Sequence, residues 1–429
     1  MERKRDPAIP RHRVAALRAL TAITAIDAVR MTPHAPEGGP FAREDLVQIL
    51  LGDDAAAAAA IRRLTSANGW PHALAVADAW SVAPNLRARL HSLGLDAPTP
   101  VRRELFFRSQ RSFAAATLQA RRGVRLCRYL EERGIPAVVF KGLASIAHLH
   151  GGSVAHRVIK DVDVLIRPRD LPQVLDALQS TGMQCEDGGS LGDYLAFVRN
   201  SPGFGGNEAI TLRGEDQADL DVHWSIGPST HPGLHVDAIV ARAERVALFG
   251  ASIRVVTPAD GLMLSAHHSI RETFAADQML RDVLDTAGWL TLLAQRGCLA
   301  DALQQASACR MDVPVLALAE ILVRRSGRQR IAPTDARAER LAELFDLQVR
   351  EGPIEKDVTY LADTYAFRQI VSGLVSAVLL PLRLLTGAGM GAHFLGKSAA
   401  RAYHSFPLGQ KGKSKKNFTC ASDAPFLLD

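Results

Sequence analysis

Paired cysteines, an unbroken apolar run and, over most of its length, lysine are what this sequence lacks. The five cysteines (Cys127, Cys185, Cys298, Cys309 and Cys420) are scattered, with no CxxC among them. That spacing argues against a zinc site or a disulfide framework and leads us to expect a reducing, cytoplasmic setting. The opening MERKRDPAIPRHR is charged and has none of the apolar stretch of a secretory signal. Gln369 to Leu382 is uncharged, and so is the chain from Leu384 to Gly396. A spanning helix needs about 20 mostly apolar residues, and Pro381, Arg383, Gly387, Gly389 and Gly391 interrupt this run. Residues 369–396 are therefore expected to pack against the body, with a weak contact at a membrane surface as the alternative. Between residues 5 and 396 the only lysines are Lys141, Lys160 and Lys356, so a lysine at a motif position carries information. The net charge of +6 is mild for 429 residues. It permits an anionic substrate or RNA and requires neither. The sequence shows no aromatic-rich basic platform of the kind single-strand binders use, and no DNA partner is expected.

A hydrophobic content of 47% is ample for a large core. The N-terminal third is rich in helix formers, as in AREDLVQILLGDDAAAAAAIRRLTSANGW, and a long helix is expected from about Ser112 to Arg133, ended by Gly134 and Pro136. The pattern then shifts. AVVF (137–140) and VDVLIR (162–167) are β-prone runs, as are AITLR (209–213) and ADLDVHWSI (218–226). Between them lie a short helix stopped by Gly151 and Gly152, and a second one with Asp170 as its cap and Leu171, Val174, Leu175 and Leu178 on one face. The turn-rich stretch before AITLR is expected to fold over the site. TPAD (257–260) has the form of a helix start, with Thr257 as N-cap, and MLRDVLDTAGWL belongs to a later helix. The expected fold is α+β. A helical region (1–134) precedes a small mixed sheet with flanking helices (135–256); a helical region (257–405) and a disordered tail (406–429) follow.

The chemistry is suggested by VIKDVDVLI. Residues two apart on a strand point the same way, so Asp161 and Asp163 project together while Val162 and Val164 enter the core. Two adjacent carboxylates repel, and one takes up a proton unless something compensates. A divalent cation does so, and Mg²⁺ favours a few carboxylates plus phosphate oxygens. ADLDVHW offers Asp219 and Asp221 on another strand face. In FKGLASIAHLH a strand runs through Lys141-Gly142 into a helix, where a glycine permits close approach of backbone to phosphate and the helix N-terminus favours an anion. Arg157 stands four residues before Asp161. Each piece alone has a plain reading: a solvated strand edge for the aspartates, a turn for Lys-Gly. Their order (strand, Lys-Gly, helix, Arg, DxD strand, helix, Asp strand) argues for the functional one.

That order resembles the polymerase-β-type nucleotidyltransferases, and more closely the bacterial "uncharacterised nucleotidyltransferase" family. The matching stretches are VVFKGLASIAHLHGG, RVIKDVDVLIRPRDLPQVLDAL, DLDVHWSI and LMLSAHHSIRETFAADQMLRDVLDTAGWL. The resemblance implies that Asp161, Asp163 and Asp221, preferred to Asp219, are catalytic metal ligands. They would hold two Mg²⁺ ions, with Mn²⁺ as an alternative. Lys141 and Gly142 would meet the triphosphate of an NTP co-substrate such as ATP, with Arg157 nearby and His223 contacting nucleotide or acceptor. Trp224 is expected in the core, and one of His267 and His268 is a candidate to line the cleft. Asp282 and Asp285 are read as capping or packing residues, and Lys160 is given no catalytic role. The implied reaction moves an NMP to an acceptor (small molecule, peptide, protein or RNA) with release of pyrophosphate. A nucleotide-binding protein without turnover and a tRNA-modifying, toxin-like enzyme are the alternatives. Asp163→Asn is expected to abolish transfer and leave stability nearly intact.

Overall fold

A computed structural model describes residues 40–351, apart from residue 96 and residues 186–189, 201–208, 214–218, 227–233, 272–278 and 328–334. The 369–396 stretch, the 406–429 tail and the Asp219 side chain lie outside the described residues.

Helices lead: α1 (Pro40–Leu51), α2 (Asp54–Ser66), α3 (Trp70–Ala79), α4 (Ala83–Ser92) and the 33-residue α5 (Thr99–Glu131). Gly52 and Asp53 separate the first two, and the Asp53 carboxylate starts α2 by accepting the Ala56 N–H at 2.7 Å. α5 begins 13 residues before the expected Ser112, with Pro100 in its first turn. Its polar, Arg-rich first half conceals the apolar stripe of Val101, Leu105, Ala116 and Ala120, which is buried.

The mixed sheet contains β1 (Val138–Val139), β2 (Val162–Leu165), β3 (Gln184–Cys185), β4 (Ala209–Arg213), β5 (Asp219–His223), β6 (Glu244–Leu248) and β7 (Ala251–Val255), in the order β3-β4-β5-β2-β1-β7-β6. β2 runs antiparallel to β1 and parallel to β5, and β1 runs parallel to β7. α6 (Lys141–Leu149) follows β1, and α7 (Leu171–Gln179) and α8 (Leu191–Asn200) follow β2 and β3. All four expected apolar positions of α7 are buried. Asp170, expected as its cap, makes no cap bond and accepts Arg167 Nε at 2.6 Å instead. The turn-rich stretch that was expected to cover the site supplies α8, which packs on α7.

The β6–β7 hairpin was not anticipated from the sequence. Its two-residue loop has positive φ at both Phe249 (50°) and Gly250 (77°), the geometry of a type I′ turn, but phenylalanine carries none of the Asn or Asp signal for it. One glycine is required by packing. A Cβ on Gly123 of α5 would stand 2.7 Å from Val162 Cγ1 and 2.8 Å from Leu143 Cδ2, so its absence lets α5 lie directly on β2 and α6.

After α9 (Val236–Arg242) and the hairpin, helices return: α10 (Pro258–Arg271), α11 (Met279–Gln295), α12 (Leu299–Ala308), α13 (Asp312–Ser326) and α14 (Ala336–Glu351). The Thr257 cap forms as expected, its hydroxyl accepting the Asp260 N–H at 3.2 Å. The fully buried Asp260 carboxylate is held by Arg242. α10 and α11 pack on α6, which brings them to the end of the sheet where the acids stand. Among the described residues no helix is long and apolar enough to cross a membrane, and Cys127, Cys185, Cys298 and Cys309 are free thiols.

Candidate active site

The site forms where β1 gives way to α6. Phe140 is extended (φ −143°, ψ −172°), and Lys141 then turns the chain with φ 49°. A side-chain-bearing residue in this left-handed region costs on the order of 1 kcal/mol or more and is held only where its surroundings fix it. Here the clamp is Asp163, whose Oδ1 accepts Lys141 Nζ at 2.6 Å. The Asp163 Oδ1 also accepts His223 Nε2 at 3.1 Å, and the imidazole stands edge-on to Phe140, with ring centroids 4.9 Å apart.

Sheet register supplies the third acid. β2 and β5 are parallel with Asp163 directly opposite Asp221, and Asp221 lies opposite Thr211 of β4, whose hydroxyl it accepts. Asp163, Asp221 and His223 bring ligand atoms within 4.8 Å of one another. The nitrogen of His223 that donates to Asp163 has no lone pair for a cation, so His223 in this geometry orients Asp163 while the carboxylates remain the donors. Asp161 immediately precedes β2, at a bend, and lines the same cleft as Asp163.

The electrostatics are those of an acid cluster with one strong counter-charge. Burial opposes ionisation of Asp163, but Lys141 and His223 overcome it and hold the carboxyl well below the usual range. Burial likewise opposes the Lys141 ammonium, which is nevertheless raised by Asp163, Asp161 and Asp221. Asp161 goes the other way: burial and then the Asp163 charge push it up to about 6. Burial and Asp163 also raise Asp221, against the Thr211 hydrogen bond. Asp221 Oδ1 is buried with no hydrogen-bond partner among the described residues. Hard oxygen donors, an orphaned carboxylate oxygen and excess negative charge fit a divalent cation of the Mg²⁺ type.

The cleft in front of these acids is lined by Lys141, Gly142, Lys160, Asp161, Asp163 and by residues of α10 and α11, with Asp221 outside that lining. A Cβ on Gly142 would meet nothing nearer than 3.7 Å, so the protein itself has room for a side chain there. Arg157 lines the cleft too, but it is 5% exposed and its Nε and Nη2 bond Asp285 Oδ2 at 2.9 and 2.8 Å, with Asp282 at 3.9 Å. Its guanidinium is thus held by acids of α11. Ser145 Oγ donates to the same Asp285 oxygen at 3.0 Å and ties α6 into that network.

Lys141, Gly142, Asp161 and Asp163 line one cleft, and Asp221 and His223 stand beside Asp163. Asp282 and Asp285, expected as capping or packing residues, are the ion-pair partners of Arg157. Arg281, to which the sequence pattern assigned no role, lines the cleft beside His268. The i, i+4 spacing of Arg281 and Asp285, which puts both on one helix face, was the available signal. Trp224 is buried beside Tyr194, as expected of a core residue.

No curated protein matches the chain. Among solved structures, a crystal structure of ANT(2")-Ia in complex with adenylyl-2"-tobramycin is similar over 44% of this chain and 98% of that one. At 14% identity and a TM-score of 0.32 that likeness fixes no residue's role. The family model for "Uncharacterised nucleotidyltransferase" matches residues 66–325, more than half of the chain and all of the site just described. The chain belongs to the uncharacterised nucleotidyltransferase family.

Proposed function

We propose that the protein is a Mg²⁺-dependent enzyme that transfers the NMP of an NTP to an acceptor hydroxyl. The observation that carries this reading is the in-register pair Asp163 and Asp221, with Asp161 alongside, at the foot of the Lys141-Gly142 turn. Asp161, Asp163 and Asp221 are the residues that would hold the metal, which when bound neutralises phosphate charge and lowers the pKa of the attacking hydroxyl. The acceptor oxygen forms a bond to the α-phosphorus. The bond from that phosphorus to the α–β bridging oxygen breaks, and pyrophosphate leaves with the electron pair. Asp221, the acid placed to face the attacking group, receives the proton of the acceptor hydroxyl and passes it to solvent. Lys141 steadies the phosphates as a point charge, and the Gly142 backbone lets them approach the N-terminus of α6. His223 keeps Asp163 oriented, and Arg157, held by Asp285, braces the floor of the cleft. The enclosed space is only about 60 Å³. Nucleotide-sized pockets start near 300 Å³, so the phosphates enter and the nucleoside lies towards the mouth. Catalysis on this scheme is positioning and charge neutralisation.

The test is incubation of the purified chain with each α-³²P-labelled NTP, Mg²⁺ and fractionated cell extract, beside Asp221→Asn. Label transferred by the wild type and lost in the variant supports the reading. Saturable NTP–Mg²⁺ binding with no transfer to any fraction would instead favour a nucleotide-binding protein.

A further inference from the structure

Among the acids of the cleft, the Lys141 ammonium already occupies the surroundings that suit a metal ion. Its Nζ donates to Asp163 Oδ1 at 2.6 Å and lies 5.4 Å from the centroid of the Phe140 ring. Burial disfavours this ammonium, and Asp163, Asp161 and Asp221 together keep it charged. It serves the cluster incompletely, because Asp221 Oδ1 stays buried with no hydrogen-bond partner among the described residues. Arg157 cannot complete it, being held by Asp285. The lysine also has somewhere else to go. Its backbone begins α6 beside Gly142, so from the same Cα its flexible four-carbon stem can turn towards an anion at the helix start. Its side chain is 24% exposed while that of Asp163 is 4% exposed, so the ammonium has a solvent edge along which to move and the carboxylate does not. A divalent cation on these carboxylates would lie close to the ammonium, and the two charges repel.

We propose that Lys141 is the resident cation of the nucleotide-free site, and that it yields Asp163 to the metal as it turns to the phosphates of the incoming nucleotide. Lys141 thereby couples two ligands. Without nucleotide a divalent ion must expel the ammonium from Asp163 and binds weakly. With nucleotide the ammonium has a phosphate to pair with, and the carboxylates are released to the metal. Nucleotide and metal each tighten the other by the same factor, because binding free energies are reciprocal. The site therefore takes up the metal together with the nucleotide and holds the free ion poorly. Until then the lysine relieves the repulsion among three neighbouring carboxylates. This inference rests on the nucleotidyl-transfer reading for the phosphates, but its test needs neither nucleotide nor turnover.

The test titrates the full chain with Mn²⁺ in the absence of nucleotide, the free ion being read by electron paramagnetic resonance. Lys141→Gly removes the ammonium at a position whose φ of 49° suits glycine, and Lys141→Arg keeps a positive charge there. Lys141→Gly should bind Mn²⁺ about ten-fold tighter than wild type or more, the effect of removing one like charge within about 4–6 Å. Lys141→Arg should stay close to wild type. A second measurement needs no variant and decides alone if Lys141→Gly does not fold. Acetic anhydride labelling of Lys141, followed by peptide mass spectrometry against the other lysines, should rise several-fold as Mg²⁺ saturates the wild type, because the expelled amine loses its bond to Asp163. Mn²⁺ affinity in Lys141→Gly equal to or below wild type, an equal gain in Lys141→Arg, or labelling that stays flat through saturation overturns the inference. Any of these with labelled-NTP transfer intact leaves the catalytic reading standing. Tighter Mn²⁺ binding by Lys141→Gly in a protein that never transfers NMP fails the catalytic reading alone, and no Mn²⁺ binding by wild type or variant fails both.

Discussion

Replacing Asp161 by asparagine should make the metal-free protein more stable while disabling it. Burial and the Asp163 charge push the Asp161 carboxyl from 3.8 up to about 6. A carboxyl whose pKa is raised in the folded state keeps its proton there between about pH 4 and 6, while the unfolded chain has already lost it. Stability therefore falls as pH rises through that window and stays lower above it. At about 1.4 kcal/mol per pH unit, the cost to the wild type at pH 7.5 is roughly 3 kcal/mol, and at pH 5 roughly half of that. Asparagine carries no charge, so Asp161→Asn recovers this amount. For a domain of this size it corresponds to about 5 °C in Tm at pH 7.5 and about half that at pH 5. Calorimetry in EDTA at both pH values measures it. Adding Mg²⁺ should raise the wild-type Tm more at pH 7.5 than at pH 5, because the cation must displace the proton, and should raise the variant's much less. An Asp161→Asn protein that melts at or below wild type at pH 7.5, or whose gain does not shrink at pH 5, refutes the acid-cluster account.

Three further outcomes follow from the same geometry. Asp163→Asn should cost stability, about 3–5 kcal/mol, because it strips Lys141 of its buried counter-charge; urea denaturation with a Cm within error of wild type would contradict this, and the expectation that this variant stays nearly intact is revised accordingly. Gly142→Ala should leave Tm within about 1 °C, since a Cβ there meets nothing nearer than 3.7 Å, yet raise the NTP Kd measured by titration calorimetry; unchanged affinity removes the phosphate from that turn. Arg157→Ala should lose about 3–5 kcal/mol by leaving Asp285 buried and unpaired, and Arg157→Lys should rescue little, because one ammonium cannot reproduce two guanidinium contacts; full rescue in denaturant melts would show that only the charge matters.

What the sequence by itself determined is whatever depends on near neighbours along the chain. Alternation within VIKDVDVLI dictates that Val162 and Val164 enter the core while Asp163 points to the other face, the helical spacing of Leu171, Val174, Leu175 and Leu178 dictates what α7 buries, and Thr257-Pro258 starts α10. These follow from the two-residue and 3.6-residue periods of strand and helix. Only the tertiary structure decided what depends on distant partners. The parallel register that sets Asp163 opposite Asp221 spans 58 residues, and it could have slipped without violating any local preference. The capture of Arg157 by Asp285 across 128 residues turned an expected phosphate ligand into a buried brace, because a guanidinium removed from water must take the nearest carboxylate. The Phe249-Gly250 hairpin formed against its local residue signal, because β7 gains a parallel partner in β1 that no short window of sequence contains.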